Sequence, residues 1–322
     1  RAGLHYRFAV DLALGLEAAG RHEGATLIEA LGPRGREGMR AEAATRTHRA
    51  KFAKSLLAAV PAPPADLTEV AVLGSMALVR NGEPVTDSDL RRERVRALLA
   101  YLVAHRTTSR AAIMAGLWPD RDERAAANNM RVTVTYLLRV LEPWRSPREP
   151  AYHIRVDGQT VRLVTSDWLR IDVDEFEEHV ALAARAEAEG TPSLALEHNL
   201  AVVALYRGEA YEDVADAVWI ALEREHFRAR FVAAATRAGE LLVGRGNGEE
   251  AQRVAWRAVE VDPWAERAYA VLVSAALARG DRSAARRSLD RGLAAMADLG
   301  VEPSEETRRL SRRVQGCGGA AD

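Results

Sequence analysis

Apolar residues recur every three to four positions over most of the chain, and every second position only in two short stretches. Leu4, Phe8, Val10, Leu12, Leu14 and Leu16 open one amphipathic helix, which Ala19-Gly20 ends. A second is predicted over 26–31, stopped by Gly32-Pro33. A third, long and basic, is predicted over 34–60, with Phe52, Leu56 and Leu57 on its buried side. Helix pairs of this kind need a neighbour to cover their faces. The chain also opens at Arg1, directly into a helix, so residues 1–60 read as the end of a larger upstream region. Pro61-Ala-Pro-Pro64 then breaks the pattern, and 61–66 is predicted to be a semi-rigid linker.

The periodicity changes after the linker. Alternation at Val70, Val72, Met76 and Leu78 around the turn Asn81-Gly82 predicts a half-buried strand pair over 69–79 and 83–85. A helix follows over 91–104, its core face formed by Val95, Leu98, Leu99, Leu102 and Val103. Thr108-Ser109 caps a second helix carrying Ile113, Met114, Leu117 and Trp118, stopped at Pro119. A third helix spans 123–141 and ends before Pro143, and alternation over 152–163 predicts a hairpin. Helix, turn, longer helix, then hairpin is the order of a winged helix-turn-helix, a module that lays one helix in the DNA major groove.

On a helical wheel Met130, Val134, Leu137, Leu138 and Leu141 of that third helix share an arc of about 100°, which predicts its buried stripe. The opposite side carries Asn128, Val132, Thr135 and Arg139, flanked by Asn129, Arg131 and Tyr136. Asn can pair with adenine, Arg with guanine or phosphate, and Val or Thr methyls can touch thymine. Arg155 and Arg162 on the hairpin could grip phosphates or the minor groove, and Arg91, Arg92 and Arg94 could contact phosphates from the start of the first helix. The alternative for this face is an ordinary solvated one.

From about residue 172 to 313 the pattern is helical again. Leu241-Leu-Val-Gly-Arg-Gly246-Asn247 aligns with Ala275-Ala-Leu-Ala-Arg-Gly280-Asp281, and Ala251 with Ala285, at a spacing of 34 residues. That period belongs to tetratricopeptide repeats, helix pairs that stack into a concave binding surface. Earlier helices, near 176–188, 193–206 and 215–230, extend the array less regularly. Trp219, Trp256 and Trp264 are expected to pack between repeats rather than form a ligand box.

Charge sharpens this division. Lys and Arg outnumber Asp and Glu by 15 to 11 over 67–166, whereas acids lead by 28 to 20 over 167–322. A mildly basic middle joined to an acidic end suits a DNA-facing module coupled to one that avoids DNA. No run of 18 apolar residues is present to suggest a membrane span. The single cysteine, Cys317, sits in a Gly-rich tail over 314–322 and fits a reducing cytoplasm.

Catalytic patterns are not apparent. The eight histidines are scattered, without HExxH, and no CxxC occurs. Gly244-Arg-Gly-Asn-Gly248 lacks the Lys-Ser/Thr of a phosphate loop and reads as a turn inside a repeat. Ser109 has no His or Asp partner nearby in sequence. Asp172, Asp174, Glu175, Glu177 and Glu178 cluster at a helix start, where the helix dipole accounts for them better than a metal does. No enzyme, metal or cofactor is expected.

Two resemblances join these readings. Residues 68–166 resemble the winged-helix DNA-binding domain of OmpR-type response regulators, through Arg94-Val-Arg-Ala-Leu-Leu-Ala-Tyr-Leu-Val103, Ser109, Leu117-Trp118-Pro119 and Met130-Arg-Val-Thr133. Residues 167–313 resemble the bacterial transcriptional activator domain that follows it in antibiotic-regulatory-type activators. Ile171-Asp-Val-Asp-Glu-Phe176, Leu205-Tyr-Arg-Gly-Glu-Ala210, Trp219, Glu223-Arg-Glu225, Asp262-Pro263, Leu299-Gly-Val-Glu-Pro303 and Thr307 carry that likeness. The resemblance implies a mainly α protein, a winged helix over 67–166 and a repeat domain over 167–313. It also implies a transcriptional regulator that binds double-stranded DNA. The repeats would handle contacts with a protein partner, either RNA polymerase or the chain's own upstream domain, or with a second copy in a homodimer.

One departure bears on the mechanism. Where the family carries a Ser-Arg-Leu-Arg-Arg-like run, this chain has Thr135, Tyr136, Leu137, Leu138 and Arg139, so two of three arginines are missing. A weak or partner-assisted grip on DNA is expected. The rival is a protein-interaction scaffold whose winged helix no longer binds DNA.

Overall fold

The computed structural model describes residues 2–21, 23–146 and 149–316. The fold is mainly α, with a winged helix-turn-helix, two small sheets and a helical-repeat region. The chain divides into two compact units, one formed by residues 1–70 with 77–170, the other by 71–76 with 171 onward.

The first unit begins with four helices: α1 (Ala2–Ala18), α2 (Glu23–Ala30), α3 (Gly32–Ala43) and α4 (Ala50–Ala59). They cover one another around Val10, Ala13, Leu14, Ile28, Met39, Ala53, Leu56 and Val60. Gly24 allows α2 to approach α1, since a Cβ there would lie 2.7 Å from the Ala13 carbonyl oxygen. The helix predicted over 34–60 is in fact two. The Thr45 hydroxyl bonds the Glu42 carbonyl at 2.7 Å and meets the Thr47 hydroxyl at 2.7 Å, giving the backbone a local alternative to helix between α3 and α4. Phe8 and Leu12 of α1 remain exposed.

The rest of this unit is the winged helix. β1 (Thr68–Ala71), β2 (Ala77–Arg80), β3 (Glu83–Pro84) and β7 (Leu169–Ile171) form a sheet in the order β3-β2-β1-β7. Asn81 and Gly82 both take positive φ (49° and 85°), the geometry of a tight hairpin turn between β2 and β3. α5 (Glu93–Ala104) buries Val95, Leu98, Leu99, Leu102 and Val103 as predicted. β4 (Thr107–Ser109) joins β5 (Ile154–Asp157) and β6 (Thr160–Leu163) in the order β4-β6-β5. α6 (Arg110–Leu117) is capped by Ser109, whose hydroxyl accepts the Ala112 N–H at 3.0 Å. α7 (Glu123–Leu141) is capped by Asp122, which accepts the Ala125 N–H at 2.8 Å.

The buried stripe of α7 is Ala126, Met130, Thr133, Leu137, Val140 and Leu141. Val134 and Leu138, predicted for that stripe, are only half-buried. Thr133 can take a core position because its hydroxyl is satisfied within the helix, bonding the Asn129 carbonyl at 2.7 Å.

The second unit stacks helices in antiparallel pairs: α8 (Asp172–Ala188) with α9 (Pro192–Leu205), α10 (Val218–Gly244) with α11 (Gly248–Val261), and α12 (Glu266–Ala278) with α13 (Arg282–Leu299). α14 (Glu305–Gly316) closes the array against α12 and α13. The aligned turns have equivalent geometry. Gly246 and Gly280 take left-handed φ (76° and 75°), and Asn247 and Asp281 cap the following helices. Ala251 and Ala285 are both fully buried. The helices predicted to end near 206 and to span 215–230 are separated by a long turn, and the second continues unbroken to Gly244.

Asp172 does more than face a helix dipole. It is nearly buried, and its carboxylate accepts the N–H groups of Val72 (2.9 and 3.0 Å) and Leu73 (3.0 Å) and the Arg207 guanidinium (2.6 Å). Burial pushes this carboxyl up, and those donors pull it back. Asp172 thus holds the segment 71–76 in the second unit, where Leu73 also bridges Ala210. Glu177 of the same cluster pairs with His226 and Arg230, both at 2.8 Å. Of the tryptophans, Trp219 packs edge-on to Tyr211 and Trp256 lies beneath Arg291, but Trp264 is half exposed. The expectation of packing between repeats fails at Trp264. The tail predicted from residue 314 starts inside α14, and residues 317–322, with Cys317, lie outside the described residues.

Candidate nucleic-acid interface

The polar side of α7 faces away from its buried stripe. Asn128, Arg131, Val132, Thr135 and Arg139 are exposed, and Asn129 and Tyr136 are half-buried. Val132 is 42% exposed, a branched apolar side chain set among polar neighbours. Such a face costs little in water and can offer a methyl group to a ligand.

The orientation of α7 relative to the wing is set by a buried carboxylate. Glu142, one residue past the helix end, accepts the N–H groups of Tyr152 (2.9 Å) and His153 (2.7 Å), with Arg145 at 3.5 Å. Burial raises the Glu142 carboxyl while those bonds favour its ionised form. Arg80 of β2 donates to the Val140 carbonyl from the other side. His153 is fully buried, and burial pushes its imidazole down to about 4. The end of the helix and the start of the hairpin are thereby fastened at adjacent residues.

Six of the seven arginines chosen from sequence fall into two groups. Arg91, Arg131 and Arg162 are exposed and make no ion pair among the described residues. Arg92, Arg139 and Arg155 are tied to carboxylates. Asp89, only 13% exposed at its side chain, meets Arg92 at 2.9 Å and Arg139 at 3.8 Å. The Tyr136 ring lies under both guanidiniums, 4.2 Å from Arg92 and 5.4 Å from Arg139. Arg155 donates to Glu29 of α2 at 2.5 Å and to the Tyr152 carbonyl at 2.9 Å.

Sequence reasoning passed over two arginines beside this face. Arg121 and Arg124 flank the capping Asp122, are exposed, and make no ion pair among the described residues. Arg121, with Arg94, Trp118, Asn129, Val132 and Thr133, lines a cleft of about 340 Å³ against α7. Arg94 is positioned there by its bond to the Leu117 carbonyl at 2.8 Å. The available signal was the pair of arginines around an N-cap, since cations at a helix start oppose the dipole and gain nothing there from the helix. No cluster of three metal-ligating side chains occurs among the described residues. No described helix is long and apolar enough to cross a membrane.

The chain thus joins a winged helix to stacked helical pairs. Residues 171–315 match the family described as Bacterial transcriptional activator domain, so the repeat region is similar to that family. Among solved structures the chain is similar to Mycobacterium tuberculosis EmbR in complex with a low affinity phosphopeptide. The TM-score is 0.65 and the sequence identity 22%, over 78% of this chain and 66% of that one. At that identity the likeness is one of fold, and the chain spans about two thirds of the neighbour's length. No curated protein matches the chain.

Proposed function

We propose that this chain is a DNA-binding transcriptional regulator that works in the cytoplasm and needs no cofactor. Its α7 helix enters the major groove of double-stranded DNA, with Asn128, Val132, Thr135 and Arg139 toward the base edges and Asn129, Arg131 and Tyr136 along the groove walls. Arg155 and Arg162 of the wing rest on the flanking backbone, and Arg91 and Arg92 grip phosphates from the start of α5. Residues 1–60, 67–166 and 167–313 serve as a helical leading segment, a DNA reader and a protein-contact domain. The repeats meet RNA polymerase, a domain upstream in the same chain, or a second copy.

One observation carries this reading. The polar face of α7, with Val132 in its middle, is open to solvent, while the opposite face is closed and Glu142 fixes the wing beside it. The test is selection of bound fragments from genomic DNA by the full chain, with a salt titration. Enrichment of one shared sequence, with affinity falling steeply as salt rises, is expected.

A second reading has its own support. Three of the six arginines assigned to DNA already have carboxylate partners, as befits a winged helix retained as a protein-contact scaffold. In that case selection would return no shared sequence.

A further inference from the structure

The acidic repeat unit carries a groove whose chemistry differs from the rest of its surface. Between α10 and the turn from α11 into α12 lies a space of about 580 Å³. Ala229, Val232 and Ala233 of α10 form its floor, and the Trp264 indole, 51% exposed, is one wall. An exposed tryptophan beside an apolar floor leaves a large area for a ligand to remove from water.

Exposed apolar residues continue past the groove. Leu222 and Val218, at 70% and 86% exposure, lie about two and three turns before Ala229 on α10, on the same side. The apolar positions Val218, Leu222, Ala229, Val232 and Ala233 therefore span about four turns of α10, with the exposed Glu225 among them. Isolated exposed leucines are ordinary, but two apolar side chains this exposed, on the side of α10 that leads past Glu225 into the groove, mark an interaction surface.

Charge selects the occupant. The two cations at the groove are satisfied by carboxylates outside it: Arg228 pairs with Glu209, and Arg267 with Glu240 at 2.6 Å. Glu225 shares Arg228 at 3.2 Å and is mostly exposed. Asp262 accepts the Trp264 N–H at 3.0 Å and Glu266 the Ser304 N–H at 2.7 Å, and neither has an ion-pair partner among the described residues. The rim is therefore net negative. An indole face next to carboxylates favours a guanidinium, which can stack on the ring and reach the acids together.

We propose that the α10–α12 groove docks a basic amphipathic helix of a protein partner, its leucine-like side chains on the apolar positions between Val218 and Ala233 and an arginine on Trp264. This rests on reading the repeats as the protein-contact part of the chain, and it supplies the chemistry of the contact. The groove's negative rim also keeps it off the DNA that the basic unit would hold.

The probes are two fluorescein-labelled helical peptides, with leucine at i, i+3, i+4 and i+7 and either arginine or glutamate elsewhere, titrated against the full chain by anisotropy. The arginine peptide binds and the glutamate peptide does not. Trp264→Ala weakens that binding about tenfold, and Leu222→Arg, on a surface that tolerates charge, weakens it comparably. Glu225→Gln flattens its salt dependence. Binding of the arginine peptide that neither Trp264→Ala nor Leu222→Arg alters overturns the proposal. Binding of neither peptide overturns it too. Preference for the glutamate peptide with loss in Trp264→Ala overturns the basic partner but leaves the repeats as a protein-contact face. DNA titrations of the same variants stand apart, since none of these residues lies in the winged helix.

Discussion

Arg155 of the wing donates to Glu29 of α2 at 2.5 Å, across 126 positions of sequence. A side chain that would otherwise be a cation free for phosphate is occupied by a carboxylate of the leading helices. If Arg155 is a backbone contact, Glu29 competes with DNA for it. Glu29→Gln should raise DNA affinity about threefold at low salt and steepen the slope of log affinity against log salt by about one. The measurement is anisotropy of labelled duplex across a salt series. An unchanged slope would mean that Arg155 does not meet the backbone.

Asp89 plays the same part for two arginines at once, since Arg92 and Arg139 both lean on it over the Tyr136 ring. Asp89→Asn keeps the shape and removes the charge. Stronger DNA binding with a slope steeper by one to about two is expected. Weaker binding would show instead that Asp89 orients these guanidiniums productively.

The buried His153 gives a pH dependence with a definite sign. Its folded value, about 4, lies below its ordinary 6.5, so the unfolded chain takes up the proton first. Stability is full above about pH 6.5 and declines as pH falls through that value toward 4, by about 3 kcal/mol from this group. Burial raises the Glu142 and Asp172 carboxyls, and those groups work in the opposite direction, adding stability as pH falls through their raised values. The contribution of His153 is therefore read as a difference. Denaturant melts of the parent and of His153→Phe between pH 7 and 4 should diverge by that amount. Parallel curves would contradict a buried neutral imidazole.

Asp172 ties two backbone donors and Arg207 into the repeat unit. Asp172→Ala leaves the Val72 and Leu73 N–H groups without their acceptor, at a cost of about 3 kcal/mol. A thermal transition of the repeat unit lowered by several degrees is expected. A melting point equal to the parent's would mean water replaces the carboxylate at no cost.

Much of this architecture was legible because local signals agreed with one another. The bounds of α7 follow from Asp122 as a cap and Pro143 as a stop, and the Asn81-Gly82 turn and the 34-residue spacing of Gly246 and Gly280 have direct backbone reasons. The break between α3 and α4 was hidden because Thr45 and Thr47 act through their hydroxyls, while the apolar spacing around them stays helical. β4 and β7 are three residues each, too short for alternation to register. The face of α7 could be read from its wheel, but not the carboxylates that hold Arg139 and the wing's Arg155. Asp89 and Glu29 are distant in sequence from Arg139 and Arg155, and no spacing rule links them.

The central claim is that the Val132 face of α7 reads DNA, and the most direct test is the affinity of Asn128→Ala and Arg139→Ala for a duplex selected by the parent chain. Each variant should lose about tenfold or more on the selected site. Asn128→Ala should leave binding to an unrelated duplex unchanged, and Arg139→Ala should weaken that binding only slightly. Parent-like affinity of both variants for the selected duplex would contradict the account.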